Sequence, residues 1–582
     1  MSFTKLGQQT ISSTNTSSKR RLLVLILLFV ISFPLLFLST AFFPNPQLVD
    51  VIHLQTQSQT QTQSSILYPN KVIPPKWLKV ILETHLTPYE TLKVGLVNFE
   101  DLDRSDLDLD GTAKYVHINI DSVSSNITWE KLFPEWIDET NPQGWCPEIP
   151  MPKLGKYFGL DVVVAQLSCK EEKVEIESNE NHRKEGTRDV DRLQISLATA
   201  HLVVENGINS QEKDVYAVFI ANCEPMLELF RCDDLLWHGG EYWVYKPNIE
   251  KLKEMVKMPV GSCALAHPSA RNPGSRQLQA FARQLPYELQ GLERSPREAY
   301  VTVLHLSEDY VCGAIALAQS ILQTNTTKDL ILLADRTISR SSILGLQAAG
   351  WKIKRIDRIK SPNAKIDAYN EWNYSKLRIW QLIEYDKLIF IDSDFIVLRN
   401  IDHLFSYPQL SAAPNDKWLF NSGIMVLEPS KCFFDNLMSK RYTFKSYNGG
   451  DQGYLNEVIT WWHRLTLKLN FLKFFDKEGG ERLVPEDRYT VHFLGTKPWL
   501  CYRDYDCNWD RDDYHVFASD HAHAKWWQVY DSLPKKLQKY CRMTRKQDKG
   551  VRNRKSRARK AKLSDGHWKI ELKDPRQYNL VG

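Results

Sequence analysis

Two carboxylates one residue apart, Asp392 and Asp394, stand between the apolar runs Leu388–Ile391 and Phe395–Leu398 in the stretch LIFIDSDFIVL. The first run is rich in β-branched and aromatic residues and reads as a buried strand, so the acids fall at a strand end. Burying two such charges is unfavourable unless something positive neutralises them. A divalent ion with oxygen ligands, Mg²⁺ or Mn²⁺, meets that need, because it takes carboxylates and keeps positions for phosphate. A His at another strand end can complete the site, and His492 opens the segment HFLGTKPW. In the same segment Gly495 permits close backbone approach, and Lys497 is a point charge for a phosphate. Asn421-Ser422-Gly423 precedes the apolar run Ile424–Leu427 and reads either as small polar groups that hydrogen-bond a sugar or as an everyday turn. Gly449-Gly450-Asp451-Gln452-Gly453 introduces a helix running to about Ile459, whose N-terminus suits an anionic or hydroxyl-rich ligand. Lys376 and Arg378 lie in an expected helix over Tyr374–Ile383, where a solvated face is the plainer reading. Two Asp, one His and one Lys from separate segments together fit a metal with a diphosphate. A nucleotide-diphosphate sugar is the economical ligand.

These residues need a frame that brings strand ends together. From Tyr300 the pattern alternates: strand Val301–Leu306, helix Val311–Leu322, strand Leu330–Ala334, helix Ser341–Ala349 and strand Trp351–Ile356. Such alternation predicts an α/β fold with a mostly parallel sheet, whose ligands bind at the carboxyl ends of strands. Asp392 and Asp394 fall at such an end. Upstream, strand-like pieces at Thr91–Val97, Tyr115–Ile120, Leu160–Leu167 and Val215–Ala221 and an amphipathic helix over Leu193–Val204 define a second α/β region. No catalytic constellation appears there, and the adjacent Asp233 and Asp234 read as a solvated turn.

A chain of 582 residues exceeds one ordinary core, so two domains are expected. The net charge of +5 does not mark a nucleic-acid partner. The 10 Cys lack zinc-ribbon spacing, and Cys501 with Cys507 is the best single disulfide pair. Lys19, Arg20 and Arg21 precede an uncharged apolar run, Leu22 to Phe43, of about 20 residues, long enough to span a bilayer. The basic flank places the N-terminus in the cytosol, giving a type II membrane protein. The tract QTQSQTQTQSS that follows reads as a flexible stem.

The segments AYVTVLH (Ala299–His305), SKLRIWQL (Ser375–Leu382), IDSDFIVLRNIDHLF (Ile391–Phe405), FNSGIMVLEPS with GGDQGYLN, and HFLGTKPW together resemble the glycogenin-like retaining glycosyltransferases of family 8. The flank resembles the plant xylan α-glucuronosyltransferases through LFPEWIDE (Leu132–Glu139), FRCDDLLW (Phe230–Trp237), PVGSCALA (Pro259–Ala266) and KPWLCYRDYDCNWD (Lys497–Asp510). The resemblance implies a GT-A fold and Mn²⁺-dependent transfer of α-glucuronosyl residues from UDP-glucuronate to xylan, with retention of configuration. It implies Asp392, Asp394 and His492 as metal ligands, and Asp392, Asp394, Asp451 and Gln452 as the catalytic set. Val303, His305 and Tyr310 are expected to line the uridine pocket, with Lys376 on the nucleotide sugar. Asn421, Ser422, Asp451 and Gln452 face the donor sugar, Gly495 and Lys497 hold the diphosphate, and Ser393 and Asn448 join the UDP-sugar set. Glycogenins carry an acid where Asn448 stands, and a neutral amide there is compatible with an anionic sugar. No counterpart of the glycogenins' self-glucosylated Tyr is evident. Arg378 or Arg503 is a candidate partner for the uronate.

The expected layout is a cytosolic tail (1–21), signal anchor (22–43), stem (44–70), lumenal flanking domain (71–290), GT-A catalytic domain (298–540) and basic C-terminal tail (541–582). It is that of a Golgi enzyme, with other xylan-synthesising enzymes as possible complex partners. Alternatives are a hexosyltransferase using UDP-glucose on another acceptor and a non-catalytic scaffold. Asn126, Asn325 and Asn373 begin glycosylation sequons, and Asn373 is expected to stay unmodified because it lies beside Lys376. The pairs Trp461–Trp462 and Trp526–Trp527 are expected to pack internally, and the basic run Arg542–Lys562 to form a solvated helix or tail.

Overall fold

The computed structural model describes residues 76–84, 91–99, 113–140, 146–169, 188–209, 214–268, 296–416, 418–475 and 482–581. The expected anchor and stem lie outside the described residues. Among those described, no helix is long and apolar enough to cross a membrane.

Two sheets organise the chain. The first contains β1 (Leu92–Val97), β2 (Ala113–Ile118), β3 (Val162–Gln166), β4 (Tyr216–Ile220), β5 (Leu235–Gly239) and β6 (Tyr242–Tyr245), in the order β2-β1-β3-β4-β6-β5. Its first four strands run parallel, and the β5–β6 hairpin closes one edge antiparallel. The helix expected over Leu193–Val204 extends over Val190–Asn209.

The second sheet carries the acids. It contains β7 (Glu298–Leu304), β8 (Asp329–Ala334), β9 (Lys352–Arg355), β10 (Lys387–Ile391), β12 (Ser411–Asp416), β13 (Leu419–Leu427) and β14 (His463–Arg464), ordered β14-β12-β13-β10-β7-β8-β9. Strands β10, β7, β8 and β9 are mutually parallel, whereas β13 runs antiparallel to β10 and to β12. The sheet is therefore mixed. The strand YVTVL is apolar on both faces because helices must cover both faces of a parallel core. One of them, VCGAIALAQSIL (Val311–Leu322), is buried along ten of its twelve residues. A helix apolar all round belongs inside a protein.

Three expectations change. Asn421-Ser422-Gly423 is not a turn; it lies inside β13, all nine residues of which are buried. The segment expected as a helix over Tyr374–Ile383 is a 3₁₀ helix over Asn373–Gln381. The basic C-terminal run does form a helix, Arg545–Ala561, but no free tail. Its Val551 packs with Cys501, Tyr502, Tyr505, Cys507 and Met543, and the buried Arg576 guanidinium donates to the carbonyls of Trp499, Cys501 and Cys541.

Buried residues of both sheets form one continuous apolar cluster, including Val163 and Phe219 from the first and Ala299 and Phe390 from the second. Asp233 and Asp234 lie in a short 3₁₀ turn, Cys232–Asp234, with Asp233 exposed; Asp233 also accepts from Ser430 at 2.9 Å and Asp234 from the Asn248 amide at 3.2 Å. Beside them Glu428 pairs with Arg231 at 2.6 Å and Lys251 at 2.9 Å. All ten Cys are paired, as 146–263, 169–223, 232–432, 312–541 and 501–507. Trp461, Trp462, Trp526 and Trp527 are buried, as expected.

Candidate active site

Strand β10 ends at Ile391 and delivers the acids, while the Asp392 amide donates to the Gly423 carbonyl at 2.9 Å. The next apolar residues form β11 (Phe395–Val397), which pairs antiparallel with β16 (Thr490–His492), so that Phe395 faces His492. That pairing explains how a His almost a hundred positions away reaches the carboxylates. The Phe493 amide donates to the Asp394 carbonyl at 2.9 Å, and the Phe395 and His492 rings stack 4.1 Å apart. Behind the acids lies Gly313 in the helix Val311–Leu322. A Cβ there would stand 2.6 Å from the Ser393 carbonyl and 2.5 Å from the Trp499 ring, so the helix approaches only as glycine.

Ligand atoms of Asp392, Asp394 and His492 lie within 4.8 Å of one another. Their chemistry suits a divalent cation. Asn470 Oδ1 accepts from His492 Nδ1 at 3.2 Å, which leaves the Nε2 lone pair facing Asp394 Oδ1 at 3.5 Å. Burial pushes the His492 pKa down to about 4, so the ring is a neutral donor. Burial also pushes Asp392 up to about 7 despite the Lys376 ammonium, although 34% of its side chain remains open to the cleft. A carboxyl this short of positive charge, with one face accessible, fits a site for a cation.

Two lysines frame the acids. Lys376 Nζ is 2.6 Å from Asp451, 3.3 Å from Asp392 and 3.1 Å from the Ser422 carbonyl. Burial alone would lower its pKa, but Asp392 and Asp451 outweigh burial and keep it protonated. Lys497 Nζ is 2.7 Å from Asp394 and donates to the Phe493 carbonyl at 2.5 Å. Its pKa is raised in the same way, chiefly by Asp394 against burial. The Ser422 hydroxyl donates to Asp451 at 2.8 Å, and its amide donates to Gln452 Oε1 at 3.2 Å. Lys376, Asp392, Ser422, Asp451 and Gln452 therefore form one network and Lys497, Asp394 and His492 a second, and the two meet where Asp392, Asp394 and His492 come together. Ser393 is buried at the turn between the acids.

The other expected residues lie around it. Val303 is half-buried on β7, and His305 follows that strand with its buried Nδ1 unpartnered. Burial lowers the His305 pKa to about 4, and Asp451 and Lys376 both act on the ring electrostatically. Tyr310 packs edge-on against Trp499 at 5.7 Å. Asn421 turns to Asn415 at 3.0 Å rather than to Asp451. Asn448 Oδ1 accepts from the amides of Gly450 at 2.9 Å and Gly453 at 3.2 Å, capping the helix Asp451–Val458. Neither candidate uronate partner is free: Arg378 holds Gln381 and the Asp357 carbonyl, and Arg503 pairs with Asp531.

Gly495 has φ +72°, and its missing Cβ makes room for Asn508 Oδ1. Asn508 grips the following residue from both sides, accepting from the Thr496 amide at 2.8 Å and donating to its carbonyl at 3.0 Å. Asp506 holds Asn508 at 2.6 Å and pairs with Lys473 at 2.5 Å, both side chains fully buried. Asn470, Lys473, Asp506 and Asn508 escape sequence reasoning. Each serves a partner 12 to 33 positions away, and no short-range pattern marks them.

A glycosyltransferase of the GT-A type is what this fold and site define. Residues 301–502 match the family model Glycosyl transferase family 8, and residues 68–263 match the model GUX1-5 N-terminal domain. The chain is 46% identical to the Arabidopsis thaliana protein named Putative UDP-glucuronate:xylan alpha-glucuronosyltransferase 5, over 95% of each chain. It is 47% identical to UDP-glucuronate:xylan alpha-glucuronosyltransferase 2 of the same plant, over 87% of this chain and 84% of that one. Human Glycogenin-1 is 30% identical over 40% of this chain and 71% of its own. The chain belongs to the UDP-glucuronate:xylan alpha-glucuronosyltransferase family, within glycosyltransferase family 8.

Proposed function

We propose that the protein transfers α-glucuronosyl residues from UDP-glucuronate to the xylan backbone with retention of configuration. The carrying observation is the Asp392–Asp394–His492 group framed by two ammonium ions, the buried Lys376 and the half-buried Lys497. Asp392, Asp394 and His492 would hold Mn²⁺, which when bound offsets the negative charge developing on the leaving UDP. Lys497 is poised to exchange Asp394 for a diphosphate oxygen and to stabilise the same charge. Lys376 holds Asp451 at 2.6 Å, and Asp451, Ser422 and Gln452 orient the sugar through its hydroxyls. Val303, His305 and Tyr310 would receive the uridine beside them. We extend the proposal to an uncleaved Golgi anchor at residues 22–43, with the catalytic body in the lumen. Glycosylation at the exposed Asn126 and Asn325 would accompany that placement.

The test is UDP release by the full chain with Mn²⁺, from UDP-glucuronate or UDP-glucose, with and without xylo-oligosaccharides. Release from UDP-glucuronate should rise with the oligosaccharides, vanish with EDTA and return with Mn²⁺. It should fall at least 100-fold in Asp394→Asn. Turnover of UDP-glucose in its place would retain the glycosyltransferase but overturn the donor.

A further inference from the structure

Two tyrosines stand unusually open beside the catalytic corner. Tyr369 is 84% exposed and Tyr447 51%. They flank a single hydrogen bond, from Asn370 Nδ2 to the Asn448 carbonyl at 2.6 Å, so each is one residue from the junction of two loops. That junction is tightly built. The Ser361 hydroxyl donates to the Gly449 carbonyl at 2.7 Å, and a Cβ on Gly449 would meet the Asn363 carbonyl at 3.2 Å. The rings are thus carried on ordered backbone, where nothing in the fold needs them. Tyr447 is also wired to the chemistry. Its phenol oxygen accepts from Gln452 Nε2 at 2.8 Å, and Gln452 Oε1 accepts the Ser422 amide. Because the phenol accepts from Gln452, its own O–H points elsewhere and is available to a ligand oxygen.

We propose that Tyr369 and Tyr447 form the acceptor platform, on which a neutral pyranose chain stacks as it leads into the Gln452 corner. The inference rests on the glycosyl-transfer reading above and deepens it by naming where the polysaccharide lies. An open aromatic face adjoining a hydrogen-bonding edge suits a sugar, which presents C–H groups on its faces and hydroxyls at its rim. Asn448 and Gly449, at the junction between the rings, carry no charge, which fits an uncharged polymer better than an anionic one. The Tyr447 hydroxyl would donate to an acceptor oxygen, and Tyr369 would support a sugar unit further along the chain.

Acceptor kinetics of the full chain with a series of xylo-oligosaccharides test this. Tyr369→Ala and Tyr447→Ala should each raise the acceptor KM about five- to tenfold. The KM for UDP-glucuronate should stay within twofold in Tyr369→Ala. The advantage of a six-unit over a two-unit acceptor should shrink most in Tyr369→Ala, and Tyr369→Trp should restore it. Acceptor KM values within twofold of the parent in both alanine variants would overturn the platform. So would loss of self-association in those variants with acceptor KM unmoved, which would assign the rings to a contact between copies. If the parent chain does not turn over UDP-glucuronate, calorimetric titration with xylohexaose alone separates the two readings. Binding that both alanine variants weaken keeps the platform and rejects the donor, whereas binding indifferent to them rejects the platform.

Discussion

Asn448 serves the backbone with one half of its amide and leaves the other half open. Its oxygen accepts from the Gly450 and Gly453 amides and the Ser446 hydroxyl, and the residue is exposed just before Asp451 and Gln452 in sequence. A carboxylate would accept the same bonds while adding a negative charge. Asn448→Asp should therefore fold normally yet turn over UDP-glucuronate about tenfold more slowly relative to UDP-glucose. Parallel donor assays measure that ratio, and an unchanged ratio would rule Asn448 out as a donor determinant. At His492 the Asn470 oxygen selects the tautomer. Asn470→Leu is expected to raise the Mn²⁺ concentration for half-maximal rate by about tenfold while largely sparing the rate at saturating metal. The candidate ligands were legible in the sequence because acid, imidazole and ammonium side chains carry recognisable chemistry. Asn470 was not, since its contribution exists only through a contact across the fold.

Among the elements, the loop Gly495–Lys497 depends on residues further along the chain that it never meets in sequence. Asn508→Ala would release Thr496 and should raise the KM for the UDP-sugar about tenfold. Initial rates against donor concentration, with a thermal melt to verify folding, provide the measurement. Removing Lys473 instead would strand the buried Asp506 charge, destabilising the fold by about 3–5 kcal/mol. The alternating strands and helices from Tyr300 were readable because hydrophobic period tracks secondary structure closely in a sheet covered on both faces. Asn421-Ser422-Gly423 misled the reading because turn chemistry is local, whereas their strand is set by the residues on either side, Leu419 and Phe420 pairing with β12 and Ile424–Leu427 with β10. The 3₁₀ character of Asn373–Gln381 likewise has no sequence mark; the buried Ser375, Lys376 and Leu377 follow the contacts of that segment with the sheet and with Asp451.

At the scale of the whole molecule, Glu428 ties the two sheets electrostatically. Burial alone would raise its pKa, yet Lys387, Arg231 and Lys251 outweigh burial and hold it at about 2, against an ordinary 4.5. The native state thus favours the ionised form. The stabilisation is fully present above pH 4.5 and is lost as the pH falls toward 2, and it amounts to on the order of 3 kcal/mol. Glu428→Gln should flatten the rise in melting temperature between those pH values, as read by calorimetry. The sequence suggested a flank and a catalytic domain as neighbours but could not reveal their common core, because periodicity reports which face of an element is buried and not against what.

The pairing of Cys312 with Cys541 has a consequence for how the chain matures. Cys312 lies on the helix whose Gly313 backs the Asp392–Asp394 turn, and its partner is 229 positions later. Synthesis proceeds from the N-terminus, so every strand of the catalytic sheet leaves the ribosome before the bond that pins its central helix can close. The same holds for Arg576, which clasps the carbonyls of Trp499, Cys501 and Cys541 and is made later still. The active-site floor is thus sealed by a segment made after every strand of the catalytic sheet. A nascent chain stalled before Cys541 would carry all three candidate metal ligands and an open thiol directly behind them.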